Sequence, residues 1–281
     1  MLPFPVKPML LEKTEAPFNS DEHIFEWKVD GVRCIMHYSQ GKVRLQSKTG
    51  RDCTGAFPEL SSPKLEATEA ILDGEVTVLT NGKPDFEGVM GRYLAMPRAA
   101  KNQATKKPAY YIVWDILWHN GQNLTGLPLL ERKSVLGRIL KNNLYISKID
   151  WVDGQGLALW EAIKAQALEG IVVKRKDSKY LVGKRSPAWM KIKNYQEAII
   201  NVLGYKPHDG YVLVGTGDKV QGHAIGIGKT DRAALWEILS RYGKKDGSTV
   251  WLPAGIRGRV KFTTWTPKGN MRDCHWVGFE V

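Results

Sequence analysis

Residues 26–33, EWKVDGVR, set an amine, a carboxylate and a guanidinium into a short apolar stretch: Lys28 lies between Trp27 and Val29, with Asp30 and Arg33 just beyond. A lysine amine attacks phosphorus only when neutral, although its ordinary pKa is about 10.4. Burial and nearby positive charge both favour the neutral form. WMKIK, residues 189–193, offers that charge, because Lys191 and Lys193 alternate along a strand, leave the same face and can meet one phosphate. Glu75 in LDGE and Glu169 in EGIVVK each stand beside a glycine, where a backbone can approach a ligand. Carboxylates suit Mg²⁺ (or Mn²⁺), which takes one or two protein oxygens and keeps several waters. Alone, each feature has an ordinary reading: Lys-x-Asp-Gly as an edge strand with alternate residues in water, Lys-Ile-Lys as a solvated face, each glutamate as exposed, and Trp114 as core.

Order along the chain raises their weight. Lys-x-Asp-Gly (28–31), SKTG (47–50), LDGE (72–75), YYIVWD (110–115), EGIVVK (169–174) and WMKIK (189–193) follow one another. This set resembles the covalent nucleotidyltransferase superfamily of ATP-dependent DNA ligases, RNA ligases and mRNA capping enzymes. It is most similar to the small bacterial and phage ATP-dependent DNA ligases and the ligase domain of bacterial end-joining enzymes. SKTGRDCTGAFPEL (47–60) and SKYLVGKRSPAWMKIK (178–193) carry the likeness beyond the motifs. The resemblance implies an ATP-grasp-like adenylation domain of antiparallel sheets and helices. It also implies Lys28 as the carrier of a covalent lysyl-AMP, with Lys191 and Lys193 on the α-phosphate. Glu26 would meet the adenine amino group and Trp114 would stack on the base, while Arg33, Lys48 and Lys174 hold the nucleotide. By the same likeness Glu169 serves the metal, Glu75 the ribose or metal, and Asp30 orients a 3′-hydroxyl. Two departures stand out. Lysine replaces the family's usual arginine at position 48, keeping the charge but losing the bidentate fork. The terminal Arg-x-Asp-Lys motif is absent, with Lys268 and Arg272 the nearest candidates for its role.

The remaining composition agrees with a polyanionic partner. The 281 residues carry a formal net charge of +12, and clustered Lys and Arg release counterions from phosphate backbones. The 43% hydrophobic content excludes a disordered tail. Three scattered cysteines, without a CxxC pair, argue against a structural zinc site or disulfide framework and fit a reducing cytoplasm. The proline-broken MLPFPVKPML does not read as a signal peptide, and no run of eighteen apolar residues suggests a membrane span.

Elements must position these residues. Alternation predicts strands over most of residues 23–119, with residues 98–108 a surface loop or helix end. LPLLERKSVLGRILKN and GLALWEAIKAQALEG predict helices, the second closed by Gly170. After about residue 195, short strands with Gly-rich turns and one helix predict a small OB-fold barrel. The chain therefore divides into an adenylation domain (1–195) and an OB-fold domain (196–281), an α+β organisation. GHAIGIGKT nearly spells a P-loop, but His223 stands where glycine is needed, and the segment reads as a hairpin strand with Gly226 and Gly228 in turns. The expected activity is sealing of nicks in double-stranded DNA by a cytoplasmic monomer using ATP. An RNA ligase, a capping-type nucleotidyltransferase and a non-catalytic nucleic-acid-binding OB protein remain the alternatives.

Overall fold

The computed structural model describes residues 4–280. The chain divides into two compact units, Met1–Lys193 and Asn194–Val281. In the first, the strands of three or more residues are β1 (Leu10–Lys13), β2 (His23–Trp27), β3 (Val32–Ser39), β4 (Lys42–Ser47), β5 (Glu69–Thr80), β6 (Ala109–His119), β7 (Ile146–Lys148), β8 (Trp151–Asp153), β9 (Gly170–Arg175) and β10 (Arg185–Lys193). Helices α1 (Phe86–Leu94), α2 (Pro97–Lys106), α3 (Leu129–Ile139) and α4 (Gly156–Ala165) cover them. Residues 98–108, expected as loop or helix end, thus lie largely within a full helix.

One sheet has the order β1-β10-β9-β2-β8, antiparallel except for β1 beside β10. The other runs β7-β6-β5-β3-β4, with β7 parallel to β6. Central strands bury both faces, which is why β5 is almost continuously buried over Ala70–Val78, polar Asp73 and Thr77 included, while edge strand β4 is exposed at its start. Ile24 and Trp189 of the first sheet meet Ile35, Ile71 and Leu117 of the second in a shared core. Helix α4 packs Ile163 on the far face of the first sheet, against Phe25, Ile171 and Ile192. The far face of the second sheet is covered by α1 and the end of α3, through Val89, Leu136 and Ile139.

Across that assembly, Asp115 of β6 and Arg132 of α3, both fully buried, form a two-point ion pair at 2.9 and 2.8 Å. Arg132 also donates to the carbonyls of Leu127 and Ser178, so helix, strand and loop share one guanidinium.

Gly170 does not close the preceding helix. Helix α4 ends at Ala165, and Ala167 takes the left-handed conformation (φ 52°). Gly170 instead opens β9 at φ 147°, where a Cβ would stand 2.0 Å from the Ile192 carbonyl oxygen.

The second unit contains β11 (Gln196–Lys206), β12 (Tyr211–Thr216), β13 (Lys219–Ala224), α5 (Lys229–Tyr242), β14 (Lys244–Asp246), β15 (Thr249–Trp251), β16 (Arg257–Phe262) and β17 (His275–Glu280). Antiparallel pairing runs β13-β12-β11-β16-β17. Ile225, just past β13, then exchanges backbone hydrogen bonds with Cys274 and Trp276 at 3.1 and 2.8 Å, so this sheet returns on itself. Its interior holds Val202, Val214, Leu235, Val260 and Phe262. The hairpin expected at GHAIGIGKT is corrected: β13 leads through residues 225–228 into α5, with Gly228 as its N-cap. Asp231 in the first turn accepts from the Trp276 indole at 2.7 Å, which fixes the helix start on β17. Among the described residues, no helix is long and apolar enough to cross a membrane.

Replacing Arg132 with Met leaves the Asp115 carboxylate buried without its partner. We expect a loss of about 3–5 kcal/mol in the stability of the first unit, read by urea unfolding with tryptophan fluorescence. An unchanged midpoint would show that the pair contributes nothing net.

Candidate active site

Lys28 stands one residue beyond β2, in the short link (28–31) that carries the chain from the first sheet into the second. Its backbone N–H donates to the Gly170 carbonyl at 2.8 Å. At the far end of the link a Cβ on Gly31 would meet the Val76 carbonyl oxygen at 2.2 Å, so only glycine passes there. The Lys28 amine donates to Glu169 Oε2 at 2.7 Å, with 19% of the lysine side chain exposed and 8% of the glutamate. Lys193 Nζ lies 3.9 Å from the other oxygen of Glu169.

A cavity of about 350 Å³ opens beside this lysine between the two sheets. Glu26, Lys28, Arg33, Lys48, Glu75, Trp114, Lys174 and Lys191 contribute to its wall. Glu169, Lys193 and Asp30 are not part of that wall but gather at Lys28: the first by hydrogen bond, the second through Glu169, the third electrostatically. Lys48 is exposed, between Ser47 and Thr49 on the same wall.

Three charged side chains lie in the wall around Trp114. Glu26 is buried, 2.6 Å from Lys133 Nζ and 2.7 Å from Lys174 Nζ. Lys174 Nζ sits 4.3 Å from the Trp189 ring centroid and 5.3 Å from that of Trp114. Burial, with Lys133 adding to it, lowers the Lys174 amine to about 8 despite the Glu26 carboxylate. Burial alone would raise the Glu26 carboxyl, but the two lysines outweigh it and hold it below the usual range. Arg33 has its guanidinium 5.3 Å from the Trp114 ring. Within the protein it donates twice to Asp73, at 3.0 and 2.6 Å, and once to the Met9 carbonyl at 2.6 Å. Tyr180 donates to the same Asp73 at 2.8 Å and accepts the Met9 N–H at 3.0 Å. Arg33 is thus a cavity-wall residue anchored by Asp73 and Met9.

The charges around Lys28 oppose a neutral amine. Burial pulls its pKa down, but Glu169, Glu75 and Asp30 together push it above the ordinary value. Lys191 is lowered, by burial first and then by Lys193 and Lys28. Half-buried Glu75, opposite Arg33 across β3 and β5, is pushed up to about 8: burial raises it most, Lys28 and Arg33 pull it back, and Glu169 and Asp30 raise it again. Carboxylates and ammoniums are thus both crowded here. The described residues hold no cluster of three His, Cys, Asp or Glu side chains able to cage a metal by themselves. The Glu75–Glu169 pair, with one carboxyl already reluctant to ionise, fits a magnesium ion that takes most of its oxygens from phosphates and water.

Sequence reasoning missed Lys133, Asp73, Tyr180 and Arg185. Asp73 was legible as a buried acid inside LDGE; Tyr180 and Lys133 gave no local signal. Arg185 lines the cavity and donates to the Leu11 carbonyl, tying β10 to β1.

A family model described as the ATP dependent DNA ligase domain matches residues 7–193. The SPbeta prophage-derived DNA ligase-like protein LigB of Bacillus subtilis is 36% identical over 208 residues, 73% of each chain. The bifunctional non-homologous end joining protein LigD of the same organism is 28% identical over 303 residues, covering 99% of this chain and 49% of that one. The chain thus spans about half the length of that relative. A solved structure from a study of Lig E DNA ligases superposes with a TM-score of 0.68 at 18% identity, covering 97% of this chain and 98% of the other. That likeness is one of fold, mixed α+β and rich in sheet.

Glu75 gives a pH test. A carboxyl whose folded pKa is raised binds more protons folded than unfolded, so stability falls as pH climbs from about 4.5 through 8. Glu75→Gln should leave the Tm of the unliganded chain nearly unchanged at pH 5 and raise it at pH 9, in melts across that range. A parallel shift at every pH would mean that Glu75 does not titrate there.

Proposed function

The chain belongs to the ATP-dependent DNA ligase family, and from that membership we propose that it seals 5′-phosphate/3′-hydroxyl nicks in duplex DNA through a covalent lysyl-AMP. The observation that carries this reading is the Lys28 amine at the wall of a nucleotide-sized cavity, with Lys191 on the same wall and Glu169 2.7 Å away. In the first step Lys28 Nζ attacks the α-phosphorus of ATP; the N–P bond forms and the bond to pyrophosphate breaks. Glu169 Oε2 is the base placed to receive the amine proton. Lys191 and Lys193 meet the α-phosphate, whose negative charge relieves the repulsion that lowers Lys191. Glu75 and Glu169 would hold Mg²⁺ or Mn²⁺, which neutralises phosphate charge when bound.

In the second step an oxygen of the DNA 5′-phosphate attacks the AMP phosphorus and Lys28 leaves. In the third, the 3′-hydroxyl, oriented by Asp30, attacks the 5′-phosphorus and releases AMP. Trp114 and Glu26 face the adenine, and Lys48 reaches the nucleotide phosphates from the rim. Residues 196–281 form an OB-type barrel that works with the adenylation domain of residues 1–195 to hold the duplex. The returning sheet with α5 between β13 and β14 supports that assignment. The net charge of +12 supports DNA as partner. We read the enzyme as a monomer, and three buried cysteines without a disulfide support a cytoplasmic location.

Incubation with labelled ATP should give a covalent AMP adduct on the parent chain and none on Lys28→Ala, while GTP labels poorly. An undiminished adduct on Lys28→Ala would remove that residue from its role. The parent should seal a nicked duplex, and substrates with RNA on either side of the nick test the RNA ligase alternative.

Lys28→Ala should still bind the nick. Its affinity should fall with salt at a log–log slope of about −0.9 per phosphate contact, read in a binding titration. A flat salt response would assign the positive charge another purpose.

A further inference from the structure

Helix α3 sends toward the cavity a lysine that no motif announces. Lys133 Nζ lies 2.6 Å from Glu26 Oε1, while Lys174 Nζ takes the other oxygen at 2.7 Å. Lys133 also donates to the Trp114 carbonyl at 3.2 Å, so one ammonium ties the acid to the strand that bears the aromatic wall. The three charged side chains are 8%, 2% and 2% exposed for Lys133, Lys174 and Glu26. One ammonium is enough to neutralise one carboxylate. The second leaves positive charge in surplus at a buried place, which costs free energy that packing alone does not return. Glu26 lines the cavity, and its carboxylate is held between the two ammoniums, one at each oxygen.

We propose that Lys133 is a positioning residue for base selection: it fixes Glu26 as an ionised, acceptor-only carboxylate, so that the cavity takes a purine with an amino group at ring position 6 and refuses one with a carbonyl there. This rests on the reading in which Glu26 faces the base. An ionised carboxylate can only accept, so it pairs with a 6-amino donor and repels a 6-carbonyl; a protonated or swung carboxyl could donate and would lose that choice. Lys174 alone holds Glu26 less firmly, because burial already weakens the charge of its own amine. Lys133 does not line the cavity, so its effect passes through Glu26. The interaction acts on the base, remote from the reacting phosphorus, and therefore belongs to binding more than to the chemical step.

ATP and ITP differ at that ring position and isolate it. With the full chain, Lys133→Met should raise KM for ATP about tenfold and lower the ATP:ITP ratio of kcat/KM by about tenfold, with kcat at saturating ATP little changed. Lys133→Arg, which keeps the charge, should restore both. Glu26→Gln, whose amide can donate, should narrow the ATP:ITP gap whether or not the Lys133 variants fold well. Unchanged KM and ratio in Lys133→Met would overturn the proposal, as would a fall in kcat and Tm that Lys133→Arg does not repair. Equilibrium binding of ATP and ITP, followed by tryptophan fluorescence, separates this from the wider reading. Selective binding lost in Lys133→Met supports the role even where no adduct forms, a result that would count against the ligase reading alone. Equal binding of the two nucleotides by the parent overturns the role even where an adduct does form.

Discussion

Lys28 is subject to opposed demands: it is held as a charged ammonium, and as the proposed nucleophile it must be neutral to react. Its ammonium is pinned to Glu169 at 2.7 Å and its backbone to Gly170 at 2.8 Å, both at the start of β9. That anchoring needs the carboxylates that raise its pKa. The cations needed to lower it stand on the adjacent strand β10, with Val172 of β9 paired to Lys191 and Gly170 to Lys193. One hairpin of strands thus supplies both signs of charge.

Much of the remaining structure keeps that arrangement rigid. Asp73, Arg33, Tyr180 and the Met9 backbone form a buried network joining β3, β5, the N-terminal segment and the loop before β10. Asp115 and Arg132 do the same for α3 and β6. Such pairs add little net stability when complete but are costly when broken, so they penalise alternative packings more than they strengthen this one. A nucleophile aimed at one phosphorus requires a wall that does not drift.

The sequence made the strands legible because their alternation and their Gly-centred turns are local signals. Lys28, Glu169, Lys191 and Lys193 were legible because they fall inside short ordered motifs, and the structure brings all four together. What stayed hidden was partnership across the chain. Tyr180 meets Asp73 from 107 residues away, and Lys133 looks like any charged residue on an amphipathic helix. Gly170 misled because a glycine after a helix resembles a stop signal, whereas its carbonyl and its missing Cβ serve the lysine link. Likewise GIGKT looked like a turn in a hairpin, because its glycines mask a helix that begins at Lys229. Arg33, expected to hold the nucleotide, stands in the cavity wall, and nothing in its neighbours along the chain announces its bonds to Asp73 and Met9.

The crossing at residues 28–31 has a genetic consequence. Gly31 performs no chemistry, yet a side chain there would run into the backbone of β5 at 2.2 Å. Any substitution at position 31 must displace either that strand or the link itself, and the link carries the amine. In an activity screen the glycine should therefore rank beside the lysine as intolerant, the lysine for its proposed reaction and the glycine for available volume. Tolerance in this short segment measures how tightly two sheets are stitched as much as which atoms react, and an alignment of functional sequences records both constraints with the same mark.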